Sequence, residues 1–428
     1  MRLRGGLKGR ERSRIEKRRV VITGVGVISP IGIGKDEFFK ANLEGRSGID
    51  LIRDFDTKDY PSKIAAQIKN FPSYNFIKEE KERELDRFTQ FAIASSKLAL
   101  EDSHLDLDKE DRDRIGVIIG SGLGGMFFYE RQMLTLQKYG IKRVDPLSVP
   151  RVMPNAPSSQ IAKEFNLRGI NFVISTACSS GNNALGQSFK LIKNGIADII
   201  LSGGTEAPIT PYIFASFCAL RVLSRRNDSP KEASRPFDKN RDGLVMGEGS
   251  AVLVLEELNH ALKRNAHIYA EIVGYACNCG AYHMVLPEPS GEDIVRVILQ
   301  ALKDADLKPN DIDYINAHGT STLLNDKIET KAIKKVFGNY AYKIPISSTK
   351  SMIGHTIGAA GAIEAVVCCL VIENQIIPPT INYRYKDPDC DLDYVPNKPR
   401  KAKIGTVLSN SFGFGSNNAC IILRRYDG

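Results

Sequence analysis

Residues 170–184 read "INFVISTACSSGNNA": five residues that are mostly apolar, then a cysteine, Cys178, set among hydroxyls, small residues and amides. A β-branched run followed by small residues and then helix formers is a strand that empties into a helix. The spacing predicts a helix from near Ser179 to Asn194. A thiol at such a turn faces unpaired backbone N–H groups and the positive end of the helix dipole, which favour its anion. The same amides suit the oxyanion of a tetrahedral adduct. The small neighbours Ala177, Ser179, Ser180 and Gly181 leave the sulfur approachable. An arbitrary cysteine is more often an inert core residue, so this turn needs company before it counts as a site.

Working outward, short β-branched runs alternate with helical stretches, as in "RRVVITGVGVIS" (18–29), "SAVLVLEEL" (250–258) and "LDRFTQFAIASSKLAL" (85–100). That is the pattern of an α/β layer fold, with strands expected to be buried and largely parallel. The chain also echoes itself. "DRIGVIIGSGLGG" (113–125) matches "NDIDYINAHGTST" (310–322), "FVISTACSS" (172–180) matches "IPISSTKSM" (344–352), and "ADIILSGGTEA" (197–207) matches "IGTVLSNSFGFG" (404–415). In each echo a strand ends in a turn of Gly, Ser, Thr or Asn, and open α/β sheets place their sites at strand C-termini. Two such halves packed face to face bring Cys178 toward His318, Lys350, His355 and Phe414, with the boundary at 262/263 inside Leu258–His267.

Composition narrows the rest. The 428 residues suit one large or two mid-sized domains. Net charge is +9, but residues 1–19 hold nine Lys/Arg against two Glu, so seven of those charges sit in this tail. Residues 1–18 therefore read as a disordered basic arm or a start-site artefact, a targeting remnant or anion-binding tail being the alternatives. Neither nucleic-acid binding nor membrane insertion is expected, and the default compartment is cytoplasmic. Eight cysteines without disulfide or zinc spacing imply reduced, mostly buried thiols and no metal. Gly24-x-Gly26 lacks the third glycine of a dinucleotide fingerprint, so it carries no cofactor. His104, His260 and His267 sit among charged or Asn residues and read as structural, as does His283 unless its loop moves. His318 and His355 have room around them for a ligand.

Six blocks, "TACSS", "GGTEAPITP", "RPFDKNRDGLVMGEGSAVLVLEEL", "NAHGTST", "STKSMIGHTIGAAGA" and "NSFGFG", resemble in content and order the signatures of elongating β-ketoacyl-acyl carrier protein synthases of types I and II, closest to type II. The likeness runs from Arg19 to Arg425. It implies the thiolase fold: duplicated βαβαβαββ halves (19–262 and 263–428) in five layers, αβαβα. It also implies Cys178 as nucleophile, with its own amide and that of Phe414 as the oxyanion hole. His318 and His355 would assist malonyl decarboxylation, Lys350 and Glu329 would form a buried charge network, and Thr320 and Thr322 would hold a pantetheine arm that arrives on the partner. No cofactor bound to the chain itself is implied.

The partners implied are an acidic acyl carrier protein, docking near Arg221, Arg225 and Arg226, and a second copy of the chain. The expected reaction is decarboxylative condensation in fatty-acid elongation. A specialised polyketide or unusual-lipid ketosynthase and an inactive scaffold subunit are the alternatives. An initiating Cys-His-Asn enzyme lacks the second histidine, a chain-length factor lacks the cysteine, and a thiolase wants a second catalytic cysteine where Cys420 reads as a strand residue. Departures from the pattern are Ser416 for a glycine, followed by Asn417, Leu323 and Asn325 for Pro and Gly, and Gly280 where Asp is common. If the replaced glycine used positive φ, Ser416 stiffens or shifts the loop after Phe414.

Overall fold

The computed structural model describes residues 18–428, so residues 1–17 of the basic arm lie outside the described residues. Arg18, assigned to that arm by the sequence, belongs to the body, where its guanidinium pairs with Asp198.

Ten strands form the main path of an eleven-stranded sheet. Five belong to the first half: β1 (Val20–Ser29), β2 (Ile115–Gly120), β3 (Asn171–Ile174), β4 (Ile199–Glu206) and β5 (Gly249–Glu257). Five belong to the second: β6 (Ala270–Cys279), β7 (Tyr314–Asn316), β8 (Ile346–Ser347), β9 (Thr406–Gly413) and β10 (Asn417–Arg424). The order is β8-β7-β9-β10-β6-β1-β5-β4-β2-β3. Read outward from the β6–β1 joint, each half runs first, fifth, fourth, second, third, so the echo in the sequence is a duplicated topology. The joint itself is short, Val20–Ile22 against Ala270–Ile272. The chain crosses between halves through the helix Leu258–Lys263.

The expectation of largely parallel strands is corrected. In each half the fifth strand runs against its neighbours, so β5 is antiparallel to β1 and β4, and β10 to β6 and β9. Only β2 with β3 and β4, and β7 with β8 and β9, pair in parallel. The β9–β10 hairpin turns on Phe414–Ser416, too short for the crossover that a parallel pair needs.

Seven helices matter here: α1 (Arg87–Ser103), α2 (Met126–Tyr139), α3 (Ala156–Phe165), α4 (Ser180–Lys193), α5 (Glu292–Asp304), α6 (Leu323–Phe337) and α7 (Ala360–Asn374). α1 and α3 cover the outer face of the first half, while α5, backed by α6, covers that of the second. α4 and α7 lie between: α4 packs on β2 and β4 and also on β10, α7 on β9 and also on β4 and β5. The result is five layers. Strands covered on both faces can be apolar throughout, and β1, β4 and β5 are buried at every position.

Ile357–Asn374 has the length and mean hydropathy, 1.7, of a membrane span, but 89% of it is buried within the protein as this middle layer. Each of its buried Ile, Val and Leu side chains contributes roughly 1.5–3 kcal/mol. The glycines of "TGVGVIS" have a packing purpose: a Cβ on Gly26 would stand 2.0 Å from the Ser95 carbonyl oxygen, so glycine lets α1 lie against β1.

Candidate active site

Strand β3 ends at Ile174 and α4 begins at Ser180, which leaves Cys178 on the intervening turn. Ala177 takes φ +52 to make that turn. The amides of Ser179 and Ser180 donate within it, to Thr176 O at 3.3 Å and Ala177 O at 3.1 Å. The backbone N–H groups of Phe414 and Cys178 act on the sulfur by favouring its anion. Gly413 makes the approach of the Phe414 turn feasible, because a Cβ there would sit 2.8 Å from Thr176 O and 3.1 Å from the Cys178 nitrogen.

The thiol differs from its sequence expectation. Burial pushes its pKa up to about 12, outweighing Lys350 and the two amides, which pull it down. The helix-end field is present, yet desolvation of the anion is the larger effect. The resting group is a thiol.

One cavity of about 320 Å³ gathers Cys178, His318, His355, Phe414, Thr320 and Thr322. Of these six, the first half supplies Cys178 and the second half the other five, while first-half residues such as Phe217, Val222 and Leu244 add to the wall. The rings of His318 and His355 are 5.4 Å apart between centroids and nearly perpendicular. Burial, then the charge of Lys350, hold both imidazoles well below their ordinary pKa, so both are neutral. His355 Nδ1 accepts the Ile357 N–H at 3.2 Å, which puts its proton on Nε2. His318 Nδ1 is buried and has no partner. The hydroxyls of Thr320 and Thr322 bond each other at 2.9 Å. The Phe414 ring stacks on Phe217 at 6.2 Å.

Lys350 and Glu329 lie outside this lining, both are buried, and no ion pair joins them directly. Lys350 Nζ, 1% exposed, pairs with Glu364 of α7. Glu329 instead accepts the amides of His318 and Gly319, each at 2.8 Å, and so holds the His318 turn. Burial raises its pKa to about 6. Glu364 has no part in the sequence reading, although an acid inside the apolar run "AGAIEAVVCCLVI" (360–372) is a signal for a buried partner.

Glu206, in the resembling block but given no role, accepts from Gly122 N (2.7 Å), Leu123 N (3.1 Å), Gly358 N (2.9 Å) and Ser121 Oγ (3.0 Å). It ties the ends of β2 and β4 to the turn after His355.

Each functional turn carries a non-glycine residue at positive φ: Ala177 (+52), Ser321 (+68), Ile357 (+47) and Ser416 (+57). Such conformations persist where the surroundings over-determine them. Ile357 is the sharpest case because β-branched side chains avoid this region. Ser416 itself takes the positive φ on which that reading turns, and Asn417 Nδ2 donates to the Phe414 carbonyl at 3.1 Å. Leu323 is 60% exposed at the start of α6, and Asn325 Nδ2 donates to Asp326 at 3.1 Å. His283 Nδ1 accepts the amides of Val285 and Leu286, a loop-holding role. Cys420 is fully buried in β10. Of the three arginines, Arg221 is exposed at the cavity mouth, Arg225 is exposed farther off, and Arg226 is half-buried.

Family comparisons agree along the chain. The model described as "Beta-ketoacyl synthase, N-terminal domain" matches residues 17–261, and "Beta-ketoacyl synthase, C-terminal domain" matches residues 269–384. The chain is similar to 3-oxoacyl-[acyl-carrier-protein] synthase 2 of Synechocystis sp., 47% identical over 96% of this chain and 99% of the relative. It is 46% identical, with the same coverage, to the protein of that name from Coxiella burnetii. A type II polyketide ketosynthase, solved in complex with its acyl-carrier protein and bound to a hexaketide, superposes with a TM-score of 0.89 at 37% identity, covering 96% of this chain and 100% of that one. This chain belongs to the β-ketoacyl synthase family.

Proposed function

We propose that the protein is an elongating 3-oxoacyl-acyl-carrier-protein synthase of fatty-acid synthesis. The observation that carries the proposal is the single cavity in which Cys178, the Gly413–Phe414 turn and two neutral imidazoles meet. In the first half-reaction Sγ attacks an acyl thioester while the Cys178 and Phe414 amides take up the charge on its oxygen. The C–S bond to the carrier's pantetheine breaks, and the thiol proton ends on the departing sulfur. In the second, malonyl thioester loses CO2 while imidazole N–H groups, Nε2 of His355 among them, donate to the thioester oxygen as enolate charge grows. The carbanion attacks the acyl-Cys178 carbonyl. The Cys178 C–S bond breaks, the sulfur takes up a proton, and 3-oxoacyl thioester leaves two carbons longer.

Neutral donors suit this step, since an imidazolium would need a proton that burial opposes. In Cys178→Ala protein, His318→Ala or His355→Ala is expected to slow malonyl decarboxylation by about 100-fold, the scale of losing an oxyanion donor. With both histidines present, decarboxylation should stay flat from pH 6 to 9, because both imidazoles already titrate well below 6.5. An inflection near pH 6.5 contradicts neutral donors. The carrier is proposed to dock where Arg221 marks the cavity mouth. The 47% likeness to synthases of the elongating type, against 37% to a polyketide ketosynthase, favours fatty-acid elongation.

A homodimer belongs to the same proposal. Leu134 (65% exposed), Tyr139 (59%), Ile141 (80%) and Val149 (67%) crowd the surface formed by α2 and the segment after it. The half-exposed β3 is a sheet edge, paired on one side only among the described residues. A bare sheet edge and an exposed apolar patch are each a liability unless a partner covers them. Light scattering should give twice the chain mass, and Leu134→Arg should shift it toward the monomer; a monomeric parent protein contradicts the dimer.

A further inference from the structure

Two departures from the family pattern, Gly280 and Ser416, touch each other. Register pairs Cys279 with Asn417 and Asn278 with Asn418, and one residue on, the Gly280 N–H donates to Ser416 O at 2.9 Å. A Cβ on Gly280 would lie 2.4 Å from Asp293 Oδ2 and 2.9 Å from Ser416 Cβ. The space in which a side chain at position 280 would begin is thus filled by a carboxylate from the first turn of α5.

Asp293 is 4% exposed and its Oδ2 accepts Asn418 Nδ2 at 2.8 Å. Asn418 Nδ2 also reaches Asn278 Oδ1 at 3.2 Å, and Asn278 Nδ2 donates to the Asp293 carbonyl at 2.8 Å, which closes a ring through β6, α5 and β10. Asp293, Ser416 and Asn418 line the same cavity as Cys178. The ring is joined to the Phe414–Ser416 turn on both sides, by the Gly280 bond to Ser416 and by the pairing of Asn418 with Phe412, and in that turn Gly415 (φ +77) and Ser416 (φ +57) are both left-handed. A non-glycine residue holds that conformation only if its surroundings require it. The Ser416 side chain cannot supply the hold, because its buried Oγ has no partner.

We propose that Asp293 is a positioning residue for acyl transfer: it occupies the place left by Gly280 and, through Asn418, sets the Phe414 amide over the Cys178 sulfur. This rests on the oxyanion role given to Phe414 above. Displacing a reacting group by about 1 Å can cost about 100-fold.

Single-turnover acylation of Cys178 by an acyl-carrier thioester, read by intact mass, tests it. Asp293→Ala should slow acylation about 10- to 100-fold and leave malonyl decarboxylation by the histidines within about twofold. Asp293→Asn keeps the shape and an acceptor for Asn418 and should stay within about threefold of the parent. The triple variant G280D/D293A/S416G returns a carboxylate from position 280 and removes the 2.9 Å clash, so it should recover most of the lost rate. The proposal is overturned by parental acylation in Asp293→Ala, by equal loss of both half-reactions, or by a triple variant no faster than Asp293→Ala. Absence of acylation in the parent protein sinks the ketosynthase reading and, with it, this one.

Discussion

Cys178→Ala is expected to abolish acyl-enzyme formation and condensation while malonyl decarboxylation continues. Deleting the nucleophile of a covalent mechanism costs on the order of 10⁶-fold in a well-studied hydrolase. No other described cysteine can stand in: Cys218, Cys368, Cys369, Cys390 and Cys420 are buried, Cys277 and Cys279 are exposed, and none of the seven lines the cavity. The imidazoles act on the other substrate and come from the other half, so the alanine removes neither of them. Intact mass after incubation with acyl-carrier thioester reads the first half-reaction, and CO2 release from malonyl-carrier thioester reads the second. If both vanish together, the division of labour between the halves is wrong.

Glu364→Leu is expected to cost about 3–5 kcal/mol of stability, the usual penalty for leaving one member of a buried ion pair alone. Lys350 is 1% exposed and its ammonium would face an apolar helix. Replacing both members, as in Lys350→Met with Glu364→Leu, should recover most of that loss, because neither desolvated charge remains. Urea unfolding of the three variants measures this. The double variant should also change the chemistry. Lys350 depresses both imidazoles, so its removal lets their pKa values rise, and the acid limb of decarboxylation should move toward neutral pH. An unchanged pH profile would mean that burial alone keeps the rings neutral.

The cavity was legible because its members sit at strand ends, where side chains converge by topology. Six residues named from turns far apart in the chain, Cys178 through Phe414, line one space. What the sequence could not show depends on packing between elements. The Lys350–Glu364 pair joins residues only 14 apart, yet it forms because α7 runs beneath the turn that carries Lys350. Burial of Cys178 reverses the expected direction of its pKa shift, since a helix-end field is local and desolvation is global. Reversal of β5 and β10 left no mark in apolar runs, which look alike in either direction. Asp293 gave no sign at all, being one of two acids at the start of an amphipathic helix.

The middle layer has a consequence for synthesis. The face of β4 and β5 that α7 covers belongs to the first half, yet α7 begins at Ala360. A nascent chain that has completed β5 still shows that apolar face to solvent until roughly a hundred more residues have left the ribosome, at about 5–20 residues per second. The two halves must therefore close over each other late and together, and a fragment cut at their border keeps a sticky sheet that invites aggregation rather than an independent folding unit.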